Sequence, residues 1–230
     1  MVVKYNKIAL IPARGGSKRI PKKNIINFNK KPMISHTIIS AIKANIFDEV
    51  FVSTDNEKIA QVSKKYGAKV ILRKQNLSDD NAMVKEVCYD FINSLEKNGI
   101  KCQILCTLFA TAPLRNSKDI KNVVNLIQSG KCDFSLAVTS YDLPPHQALK
   151  LSNNNYARPF WPKLINKKAK TIGELVVDNG STYAFNINKF KKYKSFFGPK
   201  LKIYKMPKER SVDLDTLEDL KLLKFYSKEK

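Results

Sequence analysis

The chain has little from which to build a histidine or cysteine centre. Its two histidines, His36 and His146, are too few for a histidine-based metal site. Its four cysteines, Cys88, Cys102, Cys106 and Cys132, form no C-x-x-C pair, and three lie in apolar runs. They read as reduced core thiols of a cytoplasmic protein, not as a disulfide framework or zinc ligands. No run of 18 apolar residues occurs, so no transmembrane helix is expected. The apolar part of the opening MVVKYNKIALIPARGG is short for a secretory signal, and no small-residue cleavage site follows it. Both G-x-x-x-x-G-K-[ST] and G-x-G-x-x-G are missing, which excludes a Walker loop and a dinucleotide fingerprint. Internal repeats are missing too.

What the chain has in excess is positive charge: 42 Lys and Arg against 20 Asp and Glu, a net +22 over 230 residues. Such a balance suits nucleic acid, an anionic membrane or a polyanionic small substrate. Yet only six of the 42 cations are arginine, and Lys, Asn and Ile are all abundant, as in a lysine-decorated solvated surface. The lysines are scattered, with no zinc spacing, aromatic RNP pattern or helix-turn-helix signature, so neither nucleic acid nor membrane is expected as a partner. The arginines are the more informative cations: Arg14, Arg19, Arg73, Arg115, Arg158 and Arg210.

Apolar runs at 7–13, 49–54, 69–73, 102–110 and 133–140 read as strands, alternating with helical patterns at 31–44, 57–67, 84–99 and 118–130. Pro32 is expected in the first turn of the first helix, with Ile34, Ile38, Ala41 and Ile42 on one stripe. Asp55 or Asn56 caps the second helix and Ser117 the fourth. Alternation of this kind predicts an α/β fold with a mostly parallel sheet and helices on both faces. Ligands bind such sheets beyond the carboxyl ends of the strands, which puts 13–24, 53–56, 73–83 and 109–115 on one rim. The pattern breaks after Ser140. A proline-rich stretch of about 141–176, anchored by Tyr141, Tyr156, Phe160 and Trp161, is expected to form an inserted arm within a single domain spanning 1–230. Strands return at 181–187 and 200–206. A closing helix then follows, amphipathic at Leu217, Leu220, Leu223 and Phe225.

Two stretches carry chemistry. IPARGGSKRIPKKN (11–24) places Gly15 and Gly16 among Arg14, Ser17, Lys18, Arg19, Lys22 and Lys23 directly after a buried strand. Bare backbone and converging cations suit a polyphosphate; the plainer alternative is an exposed basic turn. SVDLDTLEDL (211–220) alternates Asp213 and Asp215 with Val212 and Leu214, so both carboxylates face one way on an extended segment. Such a pair suits a hard divalent cation such as Mg²⁺. Alternatively Asp215 or Thr216 caps the last helix, with Glu218 completing its first turn. A polyphosphate loop with a carboxylate pair is the minimal equipment for phosphoryl or nucleotidyl transfer.

These stretches, with FDEVFVSTDNEKIAQVSKKYGAKVILR (47–73), LSDD (77–80) and ATAPLR (110–115), resemble the CMP-nonulosonic acid synthetases, the cytidylyltransferases that activate sialic acid and its bacterial relatives. The matches run in family order over nearly the whole chain. The resemblance implies a Rossmann-like nucleotidyltransferase fold with a dimerisation arm, and a cytoplasmic homodimer. It also implies attack by the anomeric hydroxyl of a nonulosonic acid on the α-phosphorus of CTP, with pyrophosphate leaving. The CMP-sugar would serve cell-surface glycan or flagellin glycosylation. Arg14, Gly15, Gly16, Ser17, Lys18 and Lys23 would hold the triphosphate, with Asn24, Arg73, Ser78 and Asp79 around the nucleotide. Asp213 and Asp215 would bind Mg²⁺, and Asp215 would orient or deprotonate the hydroxyl. Phe109, Thr111, Arg115, His146, Gln147, Asp178 and Asn179 would surround the acceptor sugar.

One departure bears on the acceptor. Sialic acid enzymes commonly read Gln-Pro-Thr-Ser-Pro-Leu-Arg where this chain reads FATAPLR, so Phe109 stands in place of an amide. The pseudaminic acid branch is similar to this chain here and in YDLPPHQALKL (141–151); VVDNGSTYAF (176–185) matches that branch only partly. N-acetylneuraminate and legionaminate are the alternative acceptors. The CMP-Kdo synthetases are more distant, because their Ser-Thr-Arg-Leu-Pro-type loop is replaced here by GGSKRIPKKN. His36 reads as a helix-face or core residue, Asp55 as a cap or a ligand neighbour, and Arg115 alternatively as a partner of Asp119.

Overall fold

The computed structural model describes residues 3–79 and 82–228. The chain opens with β1 (Val3–Pro12), whose inner half is buried on both faces: Ile8 and Leu10 enter one core, Ala9 and Ile11 the other. This period of two is why the run reads as continuous apolar sequence. After the basic loop, β2 (Asn27–Phe28) and β3 (Lys31–Pro32) form a small ribbon that launches α1 (Met33–Ala44). Next come β4 (Glu49–Thr54), α2 (Glu57–Lys65), β5 (Lys69–Leu72), α3 (Val84–Lys97), β6 (Ile100–Leu108), α4 (Ser117–Gln128) and β7 (Phe134–Ser140). The arm carries the ribbon β8 (Leu149–Leu151) and β9 (Ala157–Pro159) and the single turn α5 (Ala169–Ile172). The chain closes with β10 (Val176–Asn186), α6 (Ile187–Tyr193), β11 (Leu201–Lys205) and α7 (Leu217–Lys228).

Seven strands form one sheet in the order β11-β7-β10-β6-β1-β4-β5. All neighbours pair in parallel except β10, which runs antiparallel between β6 and β7. α1, α2 and α4 cover one face and α3 and α6 the other, as a sheet buried on both sides requires. Because β1, β4, β5 and β6 are parallel, the loops following them share one rim. β10 adds a bulge between Asp178 and Tyr183, and Gly180 there has φ +64°, a conformation that favours glycine.

Four local expectations are corrected. Pro32 lies at the N-cap of α1, outside the first turn. Ile42 leaves the buried stripe of Ile34, Ile38 and Ala41 and is exposed. On α7 only Leu223 is buried; Leu220 and Tyr226 pack partly against the same cluster, while Leu217 and Phe225 are exposed. The cap of α4 is Asn116, whose Oδ1 accepts from the N–H groups of Lys118 (2.9 Å) and Asp119 (3.0 Å). Asp119 Oδ2 returns a bond from the Asn116 N–H at 3.0 Å. This reciprocal box outcompetes Ser117, which becomes the first helical residue. At α2 the choice falls on Asn56, which accepts from the Ile59 N–H at 3.1 Å.

The four cysteines are free. Burial pushes Cys88 and Cys106 up to about 12 and Cys102 up to about 11, so these thiols stay protonated in the core. The exposed apolar groups of the arm include Leu143, Leu149, Leu151, Tyr156, Phe160 and Trp161.

The cap assignment is testable. Asn116→Ala is expected to lower unfolding stability by about 1 kcal/mol, and Ser117→Ala to leave it within about 0.5 kcal/mol; urea unfolding of the two variants distinguishes them.

Candidate active site

The basic loop leaves β1 at Pro12 and immediately meets its supports. Gly15 donates its N–H to Asp55 Oδ1 at 2.7 Å. A Cβ on Gly15 would lie 2.8 Å from Asn56 Cβ, so only glycine lets the loop sit this close to the start of α2. Asp55 therefore neither caps the helix nor hangs free; it fixes the loop's backbone. Asn24, itself buried, donates from Nδ2 to the Arg14 carbonyl at 2.9 Å. The N–H groups of Gly16 and Ser17 make no hydrogen bond among the described residues. They and the loop side chains line a cavity of 300 Å³ bounded by Arg14, Ser17, Lys18, Arg19, Lys23 and Asn24.

A second cavity of 220 Å³ shares Arg14, Lys23 and Asn24 with the first. It runs inward to Pro12, Arg73, Val87, Phe109 and Thr111. Arg73 donates from Nη2 to the Ser53 carbonyl at 2.9 Å. Burial lowers its pKa, with Arg14 adding to that and Asp55 opposing it. Ser78 Oγ donates to the Lys74 carbonyl at 3.1 Å, ending a short turn over Gln75–Leu77. Asp79 folds this loop onto the site: its carbonyl accepts from Arg14 Nη1 at 2.5 Å and its Oδ1 from the Ala82 N–H at 2.8 Å. Asp80, the last residue of LSDD, lies outside the described residues.

The C-terminal segment closes the other side. Leu214 is buried with Ile20, Phe28, Met33, Leu114 and Leu223, and its N–H donates to the Thr111 carbonyl at 2.9 Å. With Leu214 anchored, its two neighbours emerge together. Lys23 Nζ meets Asp215 Oδ1 at 2.9 Å, and Arg19 Nη2 meets Oδ2 at 3.0 Å. Partial burial pushes the Asp215 carboxyl up, but the bond and charge of Lys23, then Arg19, outweigh it and hold the group below its ordinary value. The cap of α7 is instead made by Thr216 and Asp219: Asp219 Oδ2 accepts from the Thr216 N–H at 2.7 Å and the Asp215 N–H at 2.9 Å. The side chain of Asp215 takes no part in that cap, and neither does Glu218.

Asp213 differs in kind. Burial raises its pKa despite the opposing Thr111 hydroxyl bond and Lys23 charge, and its buried Oδ1 has no hydrogen-bond partner among the described residues. A buried carboxylate oxygen left unsatisfied beside a second carboxylate is what a hard cation satisfies. Among the described residues no third carboxylate, histidine or cysteine joins the pair.

The expected acceptor residues divide. Phe109 lines the inner cavity and packs against Tyr183, ring centroids 5.4 Å apart. Asp178 Oδ2 accepts from the Tyr183 hydroxyl at 2.8 Å, and Asp178 Oδ1 from the Gly180 N–H at 3.0 Å. Asn179 is buried and bridges to Ser211 Oγ at 3.1 Å. Arg115 is 1% exposed. It donates to the Ser181 carbonyl at 2.5 Å and Thr37 Oγ1 at 2.8 Å, and lies 3.4 Å from the Phe109 carbonyl. Burial lowers its pKa to about 10. Its guanidinium braces the end of β6 and the β10 bulge, while Asp119 pairs with Arg210 instead. His146 is 3% exposed inside the turn Pro145–Gln147, its Nε2 unpartnered among the described residues, and Gln147 is exposed; neither lines the two cavities. His36 Nε2 bonds the Phe28 carbonyl at 2.8 Å and serves the fold.

In the sequence Arg19 stands only as one of the loop's several cations, and neither Tyr183 nor the buttress role of Asp55 stands out. Their signals were weak: Arg19 shares a loop with five other polar donors, Tyr183 sits mid-strand, and Asp55 competes with Asn56 for the cap.

Comparison with known proteins identifies the family. The cytidylyltransferase family profile matches residues 8–230. The chain is 36% identical over 222 residues to the pseudaminic acid cytidylyltransferase of Campylobacter jejuni strain NCTC 11168, covering 96% of each. It is 34% identical to the N-acylneuraminate cytidylyltransferase of Streptococcus agalactiae serotype V, covering 92% of this chain and 51% of that one. A solved CMP:2-keto-3-deoxy-manno-octonic acid synthetase complexed with CTP shares the fold, with TM-score 0.71, 16% identity, and coverage of 97% of this chain and 99% of that one. With its loop, carboxylate pair and rim placed as described, this chain belongs to the cytidylyltransferase family of nucleotidyltransferases.

Proposed function

We propose that this chain transfers CMP from CTP to a nonulosonic acid of the pseudaminic type, releasing pyrophosphate. The observation that carries the reading is the clasp of Asp215 by Lys23 and Arg19 beside half-buried Asp213. It brings the phosphate-binding cations and the acidic pair to one point on the sheet's rim. The relatives named as pseudaminic acid cytidylyltransferases support the choice of acceptor.

The chain's groups divide the work. The free N–H groups of Gly16 and Ser17, with Arg14, Ser17, Lys18 and Lys23, receive the triphosphate. The inner cavity, walled by Arg73, Asn24 and Phe109, receives the nucleoside and the near side of the sugar. As the phosphates draw Lys23 and Arg19 towards them, Asp215 is released to orient the sugar's anomeric hydroxyl. Asp213 and Asp215 would hold a Mg²⁺ ion, which would supply charge compensation at the attacked phosphate. The hydroxyl oxygen bonds to the α-phosphorus, the bond from that phosphorus to the bridging oxygen breaks, and the hydroxyl proton passes to Asp215. Pyrophosphate leaves against the basic loop. The exposed apolar groups of the arm fit an interface between two copies, and biosynthesis from CTP fits the cytoplasm.

Phe109 decides the acceptor. A phenyl ring cannot make the paired hydrogen bonds of an amide, and offers a flat apolar face to a methyl or acetamido group. Deoxygenated, di-N-acylated pseudaminic acid supplies such groups, whereas N-acetylneuraminic acid presents a glycerol tail.

Two outcomes are expected. With CTP and Mg²⁺, a pyrophosphate-release assay over a panel of nonulosonic acids gives faster turnover of pseudaminic than of N-acetylneuraminic acid; the reverse order contradicts the assignment of the acceptor. Lys23→Ala removes a charge-assisted contact worth about 1.5–3 kcal/mol, so turnover falls at least about tenfold. Wild-type rates in that variant remove Lys23 from the site.

A further inference from the structure

We propose that Arg210 is a positioning residue for the metal-binding carboxylates: clamped on Asp119, its guanidinium sets the register of the segment that carries Asp213 and Asp215. The inference rests on the metal role proposed above for that pair. Residues 211–216 form neither helix nor strand, so no ladder fixes where the two carboxylates emerge. Individual bonds must do it.

Asp215 itself is held by Lys23 and Arg19; for the rest of the segment the first such contact begins one residue before it. Arg210 Nε donates to Asp119 Oδ2 at 2.9 Å and Nη2 to Oδ1 at 2.9 Å, a two-pronged contact that permits essentially one orientation. Asp119 is 0% exposed and is itself immobilised, by the Asn116 N–H and by the Tyr204 hydroxyl at 3.1 Å. It sits in the first turn of α4, which packs on β7, β10 and β11. Beyond Arg210, Ser211 Oγ donates to the Pro207 carbonyl at 2.8 Å and accepts from Asn179 at 3.1 Å. The Leu214 N–H then meets the Thr111 carbonyl at 2.9 Å. The segment is thus tied at both ends to the single stretch 111–119.

Asp213 Oδ1 has no hydrogen-bond partner of its own among the described residues. Apart from the Thr111 hydroxyl bond, the carboxylate takes its place from its backbone, three residues from the Arg210 clamp. Arg210 directs its fork to Asp119, with Glu209 3.7 Å away at the edge, so it orients the segment without competing for phosphate. Groups that orient metal ligands in this way typically govern metal affinity by about 10–100-fold.

The test uses full-length Arg210→Lys, which keeps the charge and loses the fork, and Asp119→Asn as a second route to the same loss. Asp213→Asn is the control. Each is titrated with Mn²⁺ in the presence of CTP, read by electron paramagnetic resonance. CTP affinity in EDTA and the melting temperature are measured on the same preparations. The proposal expects Mn²⁺ affinity to fall about 10–100-fold in Arg210→Lys while CTP affinity in EDTA holds within about twofold. It is overturned if Asp213→Asn loses Mn²⁺ binding and Arg210→Lys does not. It is equally overturned if Arg210→Lys loses CTP in EDTA and Mn²⁺ alike, which is general destabilisation. If Asp213→Asn itself binds Mn²⁺ normally, the metal reading fails and takes this inference with it.

Discussion

The site depends on one electrostatic contact, the double ion pair between Asp215 and the loop cations Lys23 and Arg19. It joins positions 192 and 196 residues apart, so nothing local can form it. The loop must leave β1, beside the central strand of the sheet, and the chain must return after β11 to lie against the ATAPLR turn. Every other feature of the rim serves that meeting. Asp55 and Asn56 hold the loop's backbone, buried Leu214 anchors the acidic segment, and Thr216 with Asp219 starts α7 without using the Asp215 side chain.

The same economy explains where charge is buried. Most of the 42 cations are surface groups and contribute little to the argument. The few that matter are those held by specific partners: Lys23 and Arg19 on Asp215, Arg73 on Ser53, Arg115 on the Ser181 carbonyl, Arg210 on Asp119. Arg115 is fully buried with no carboxylate in direct contact among the described residues; its Nη atoms donate to carbonyls and Thr37 while its buried Nε has no partner there, and burial lowers its pKa accordingly. Asp213 is the acidic counterpart, a carboxylate drawn inward with one oxygen unsatisfied. Its burial is unfavourable in isolation, which is the condition under which binding of a cation is favoured.

Much of this was legible in the amino-acid order. Glycine and cations after an apolar run marked the loop, and the alternation of Val212, Asp213, Leu214 and Asp215 marked a segment with one face inward. Parallel strands marked the shared rim. What sequence could not supply was pairing across long separations. The antiparallel insertion of β10 between β6 and β7 leaves no local trace, because β10 reads like any other strand. Arg115 reads as an acceptor contact or a partner of Asp119 until β10 and α1 close over it. Asn116 and Ser117 are both good caps, and only the reciprocal bond from Asp119 decides between them. The Arg210–Asp119 pair, 91 residues apart, was hidden for the same reason.

The most direct measurement takes thermal stability and initial rate on one preparation of Asp215→Asn. This substitution keeps size and shape but removes the charge that Lys23 and Arg19 hold. The account predicts that most turnover is lost while melting stays near that of the unaltered protein, because Thr216 and Asp219 still cap α7. A variant that melts earlier yet turns over CTP at the normal rate would show that the clasp is structural, and would contradict the active site described above.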